Sequence, residues 1–126
     1  MNKVLVADDA KNIVLVLKMS LKKAGYDVLT ARDGLSALEK VQEEKPDLIL
    51  LDILMPKMNG FLVFEALKDD PITADIPVVF ITAKAEKKDL ERAKESGAAD
   101  YLIKPIKQDK LLEVVDKYSK RGNEND

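Results

Sequence analysis

Five polar residues break the most apolar stretches of this chain. Asp8 and Asp9 follow Val4-Leu5-Val6-Ala7, Asp52 follows Leu48-Ile49-Leu50-Leu51, Thr82 follows Val78-Val79-Phe80-Ile81, and Lys104 follows Tyr101-Leu102-Ile103. Carboxylates, a hydroxyl and an ammonium are the parts from which a hard-cation site and a phosphoryl-binding site are made. The residue types that are missing narrow the chemistry further. There is no histidine and no cysteine among the 126 residues. A Ser-His triad, a histidine base, a thiolate nucleophile and a disulfide framework are therefore excluded.

Taken singly, each of these residues has a plainer reading. Asp8 and Asp9 could cap and charge the start of a helix, Thr82 could make a local hydrogen bond, and Lys104 could be a surface lysine lying along apolar neighbours. Asp52 is harder to explain this way, because a carboxylate directly behind four apolar residues is partly desolvated and needs compensation. The elements that carry these residues decide between the readings.

The short apolar runs predict five strands, at Val4–Ala7, Val28–Thr30, Leu48–Leu51, Val78–Ile81 and Tyr101–Ile103. The first, third and fourth are continuously apolar, as in parallel strands covered on both faces. Helical spacing lies between them: Ala10 to Ala24, ended by Gly25; a second after Asp33 with Leu35, Leu38 and Val41; a third after Asn59-Gly60 with Phe61, Phe64 and Leu67; Glu86 to Ser96; and a last from Gln108 with Leu111, Val115 and Tyr118. Five strands alternating with five helices predict an α/β doubly wound parallel sheet with right-handed crossovers. Such a sheet gathers function outside the carboxyl ends of its strands, where all five polar residues fall.

Three carboxylates at one edge repel. At ~4 Å and an effective dielectric near 20, each close pair costs on the order of 4 kcal/mol before screening. A cation or a catalytic demand resolves such an arrangement, and an all-oxygen set suits Mg²⁺. With Lys104 and Thr82 available for phosphoryl oxygens, the chemistry that fits is phosphoryl transfer onto an aspartate.

These motifs resemble those of the response-regulator receiver domains of two-component signalling systems, in particular the single-domain chemotaxis regulators. The resemblance rests on Val6-Ala7-Asp8-Asp9, Leu50-Leu51-Asp52-Ile53-Leu54-Met55-Pro56 with Asn59-Gly60, Ile81-Thr82-Ala83, and Gly97-Ala98-Ala99-Asp100-Tyr101-Leu102-Ile103-Lys104-Pro105. It covers residues 3 to 118 and implies a flavodoxin-like sheet of order 2-1-3-4-5. It implies Asp52 as phosphoacceptor, with Mg²⁺ held by Asp9, Asp52 and the Leu54 backbone carbonyl, and by Asp8 through water. Thr82 and Lys104 would bind phosphoryl oxygens, Tyr101 would be an aromatic switch coupled to Thr82, and Lys104-Pro105 would be a cis peptide. The phosphodonor would be a histidine kinase or histidine phosphotransfer protein, which gives the absence of histidine a meaning. The chain is expected to be no enzyme beyond its own Mg²⁺-dependent phosphorylation and slow dephosphorylation, with a downstream protein target that the sequence does not name.

Two positions beside the site are Leu54 and Lys84. Neither offers a carboxylate or amide to orient a water, which predicts a long-lived acyl phosphate. Leu54 also argues against an aspartate-based phosphatase of the haloacid dehalogenase class, which needs a second aspartate there. On the first helix, Ile13, Leu17, Leu21 and Ala24 are expected to face the core. Leu15 and Met19 point away, among Lys11, Lys18 and Lys22, and either are scattered surface residues or dock a partner's helices. The fourth helix has a thin apolar face and is expected to be weakly anchored.

The net charge of −2, with signs interspersed, argues against direct nucleic-acid binding. The apolar runs are too short for a membrane span, and the expected setting is a cytoplasmic monomer. The expected organisation is a receiver domain over 1–120 and a frayed polar tail over 121–126, read as a free-standing switch. The alternative is a fragment of a larger regulator. Leu67-Lys68-Asp69-Asp70-Pro71 and the stretch from Ile76 to Thr82 resemble receivers attached to diguanylate cyclases or hybrid kinases.

Overall fold

The computed structural model describes residues 2–83 and 85–119. Lys84 and the tail 121–126, for which a neighbouring role and fraying were expected, lie outside the described residues. Five strands, β1 (Lys3–Ala7), β2 (Asp27–Ala31), β3 (Leu48–Asp52), β4 (Val78–Ala83) and β5 (Asp100–Lys104), alternate with α1 (Lys11–Lys23), α2 (Gly34–Glu44), α3 (Gly60–Asp69), α4 (Lys87–Glu95) and α5 (Gln108–Tyr118). All neighbouring strands are parallel and their order is β2-β1-β3-β4-β5, the doubly wound arrangement expected. Among the described residues no helix is long and apolar enough to cross a membrane.

The two-residue period of the strands divides the core into two layers. Leu5, Ala7, Ile49, Leu51, Val78 and Phe80 face one way and meet α2, α3 and α4 through Ala37, Val41, Phe61, Phe64, Leu67 and Ala93. Val4, Val6, Leu48, Leu50, Val79 and Ile81 face the other and meet α1 and α5 through Val14, Leu17, Leu21, Leu111, Val114 and Val115. Both faces being covered, β1 and β3 are apolar apart from Lys3, which opens β1, and Asp52, which closes β3. Each fully buried Leu, Val or Ile contributes ~1.5–3 kcal/mol of transfer free energy.

Two helices are rotated from their expected phase. In α1 the stripe is centred on Val14, Leu17 and Leu21, with Ile13 and Ala24 partly buried at its margins. In α2 the small residues Gly34 and Ala37 take the inner face with Val41, and Leu35, expected inside, is exposed. Small residues win there because the start of α2 lies directly against the loop between β3 and α3. Gly25 and Gly97, with φ of 98° and 89°, supply the left-handed turns after α1 and α4. At the end of α5, Tyr26 hydroxyl donates to Asp116, and Ser119 Oγ lies 3.4 Å from the same hydroxyl.

Candidate functional site

The site is assembled by strand ends. β1 delivers Asp8 and Asp9, β3 delivers Asp52, β4 delivers Thr82 and β5 delivers Lys104. Register holds these ends level, with Asp52 opposite Ile81, Thr82 opposite Ile103 and Ala83 opposite Lys104. A cleft of about 230 Å³ opens between them, lined by Asp9, Asp52, Ile53, Leu54, Thr82, Ala83 and Lys104.

The carboxylates occupy different environments. Asp8 is fully buried, and its Oδ1 accepts from the Ala10 amide at 2.9 Å. Its Oδ2 lies 2.9 Å from Lys104 Nζ yet accepts no well-directed hydrogen bond, so the lysine's charge is what holds it. Asp9 is exposed at the cleft mouth. Asp52 is 4 % exposed, with Oδ2 3.5 Å from Lys104 Nζ. Burial, and next the charge of Asp8, push the Asp52 carboxyl up to about 7 against the opposing pull of Lys104. Burial works against the Lys104 ammonium as well, but close contact with Asp8 and attraction from Asp52 outweigh it and hold the lysine above its ordinary range.

One oxygen from each of Asp8, Asp9 and Asp52 can be placed within 4.8 Å of the others, so the three could hold a metal ion. Their chemistry fits a hard cation: two carboxylates lining a cleft, a third buried with an under-satisfied oxygen, and no nitrogen or sulfur donor. The loop after β3 bends tightly, Gly60 N–H donating to the Ile53 carbonyl at 2.8 Å, and it sets the Leu54 residue in the cleft wall. The Leu54 side chain itself is 56 % exposed.

The remaining named positions lie around this cleft. Lys104-Pro105 is cis. Tyr101 does not line the acidic cleft. It is half-buried against the α2/α3/α4 layer, with Lys94 Nζ 5.4 Å from its ring centre, and lines a separate cleft with Pro105, Ile106 and Lys110. Leu15 and Met19 are more than half exposed on α1, and so is Val16. Val16 lines an apolar groove of about 450 Å³ with Ile13, Leu17, Pro105 and Ile106, and Lys104 also contributes to its lining. Spacing along α1 shows which residues face outward, but the groove needs the β5–α5 loop, which only the fold brings alongside.

Comparison with known proteins agrees with this geometry. Residues 4–116 match the family model described as response regulator receiver domain. The chain is 37% identical over 115 residues to protein PilH of Pseudomonas aeruginosa, covering 91% of this chain and 95% of PilH. It is 45% identical over 104 residues to the alkaline phosphatase synthesis transcriptional regulatory protein PhoP of Bacillus subtilis, covering 82% of this chain but only 42% of PhoP. Among solved structures, the chemotaxis response regulator CheY4 of Vibrio cholerae superposes with a TM-score of 0.85 at 33% identity, covering 94% of this chain and 98% of that one. With the strand order, the cleft and the motifs all in agreement, the chain belongs to the response regulator receiver domain family of two-component systems.

Proposed function

We propose that this chain is a phosphoacceptor switch in which Asp52 receives a phosphoryl group from a histidine kinase or a histidine phosphotransfer protein. The observation that carries the reading is the convergence of Asp9, Asp52, Thr82 and Lys104 on one small cleft from four strand ends, with Asp8 buried behind it. A carboxylate oxygen of Asp52 attacks phosphorus as the bond to the donor's imidazole nitrogen breaks. The electron pair stays on the imidazole, which takes up a proton from solvent. Lys104, now held by Asp8 and Asp52, turns its ammonium to a phosphoryl oxygen, and Thr82 donates its hydroxyl to another. Asp9, Asp52 and the Leu54 carbonyl would hold Mg²⁺, with Asp8 acting through water, and the ion would offset the charge gathered at the phosphoryl group.

Exposed Leu15, Val16 and Met19 on α1, with Val16 lining an apolar groove to which Lys104 also contributes, support docking of the donor's helices on α1. The chain works as a signalling switch whose output is a change in protein binding, with Tyr101 in the readout. The second reading, a receiver belonging to a longer regulator, is favoured by one observation: the chain spans less than half of PhoP. Incubation with a small phosphodonor and Mg²⁺ tests the proposal. Mass spectrometry is expected to show one added phosphoryl group on the parent and none on Asp52→Asn. Phosphate on the Asn variant, or none on the parent, would overturn it.

A further inference from the structure

The loop from Ile53 to Asn59 joins the proposed acceptor to α3 and carries the Leu54 carbonyl. It is fastened at one end by Ile53 N–H to the Ile81 carbonyl, at 3.2 Å, and by Gly60 N–H to the Ile53 carbonyl, at 2.8 Å. Its other fastening comes from a different part of the chain. Gly34, the first residue of α2, donates its N–H to the Pro56 carbonyl at 3.2 Å. A Cβ on Gly34 would lie 1.7 Å from the Met58 carbonyl oxygen and 2.5 Å from its carbon. Beside this contact Lys57 sits at φ 69°, a left-handed backbone, with its ammonium 3.7 Å from Asp33.

We propose that Gly34 is a positioning residue for the metal site: its missing side chain lets the loop settle where the Leu54 carbonyl completes the oxygen set of Asp9 and Asp52. This rests on the Mg²⁺ reading above. A methyl at position 34 must displace either α2 or the loop by more than an ångström. α2 cannot yield easily, because Ala37 and Val41 are fully buried and Asp33 caps Ser36 at 2.7 Å. The loop, with exposed Leu54 and Lys57, moves instead. Mg²⁺ requires near-octahedral oxygens at ~2.0–2.1 Å, whereas Ca²⁺ accepts irregular sets at ~2.3–2.6 Å. Displacing one ligand therefore harms Mg²⁺ binding far more than Ca²⁺ binding.

The test is calorimetric titration of the parent and Gly34→Ala with Mg²⁺ and, separately, Ca²⁺, at a temperature where circular dichroism shows both folded. Gly34→Ala is expected to lose roughly tenfold or more in Mg²⁺ affinity while Ca²⁺ affinity changes little, so that selectivity falls. A general loss of stability would leave selectivity unchanged, and unchanged selectivity in the folded variant overturns the proposal. If Gly34→Ala does not fold, Gly34→Ala with Lys57→Gly is measured, because glycine accepts the left-handed backbone and frees the loop to shift. That double variant is expected to fold with the same reduced selectivity; parent-like selectivity, or failure to fold, overturns the proposal. A parent that binds no Mg²⁺ would instead overturn the metal reading itself, an outcome separate from any property of the variants.

Discussion

Lys104 holds its ammonium 2.9 Å from Asp8, closer than its 3.5 Å approach to Asp52. One cation thus serves two buried carboxylates, and Asp52 is the one left under-compensated.

The consequence for stability has a definite sign. Asp52 titrates at about 7 in the fold against an ordinary 3.8, so between those values the native state holds a proton that the unfolded chain has lost. Its contribution is fully present below about pH 4 and is lost as pH rises through about 7, an effect on the order of a few kcal/mol. Metal-free Asp52→Asn is therefore expected to melt higher than the parent near pH 8 and close to it near pH 4. Asp9→Asn, at the exposed cleft mouth, should stabilise less. Chemical denaturation across that range checks this, and a lower midpoint for both variants near pH 8 would refute it.

The acyl phosphate is expected to persist for minutes or longer. The Leu54 side chain at the cleft is apolar and cannot orient a hydrolytic water. Leu54→Asn should shorten the lifetime by about an order of magnitude, a conservative share of the ~10²–10⁴-fold that positioned proton-transfer groups supply. Following loss of the phosphorylated mass with time decides this, and decay of the parent within seconds would sink the idea.

Leu15→Lys combined with Met19→Lys is expected to slow transfer from the cognate kinase by about tenfold, the loss of one or two interface anchors. Phosphorylation by a small phosphodonor should be unchanged, because neither residue lines the cleft. Equal transfer rates for parent and variant would remove α1 as the docking face.

α4 is fastened by charge more than by apolar burial. Ala93 is its one buried side chain, while Arg92 stacks 4.0 Å from the Phe61 ring centre and lies 3.9 Å from Glu65. Arg92→Ala should raise amide exchange in α4 by about fivefold, the equivalent of a single exposed cation–π contact. Beryllofluoride with Mg²⁺ is expected to alter exchange across residues 85–106, since occupation of the site shifts an existing equilibrium there. No change in that segment would contradict a readout through α4 and β5.

The strands were legible because a strand covered on both faces is apolar at every position, and Leu48-Ile49-Leu50-Leu51 is such a run. Asp8, Asp9, Asp52, Thr82 and Lys104 were legible for the converse reason, as the polar residues that end those runs. Contacts between distant segments were not. Nothing local marks that Gly34 must admit the Met58 carbonyl, and the same close approach displaced Leu35 from its expected inner face. The groove beside Val16 was hidden because Pro105 and Ile106 reach it only through the winding of the sheet.

The division of the core into two layers also bears on how such a protein can change over generations. The proposed donor-docking groove belongs to the α1/α5 side, whereas α4 and Tyr101 pack against the α2/α3/α4 side. Common to both are the strands, the residues at their ends, and Pro105 and Ile106 of the β5–α5 loop, which line the groove and the Tyr101 cleft alike. A lineage can therefore rewrite the α1 side of the proposed docking groove while leaving what it reports largely untouched, whereas a substitution at Pro105 or Ile106 touches both at once.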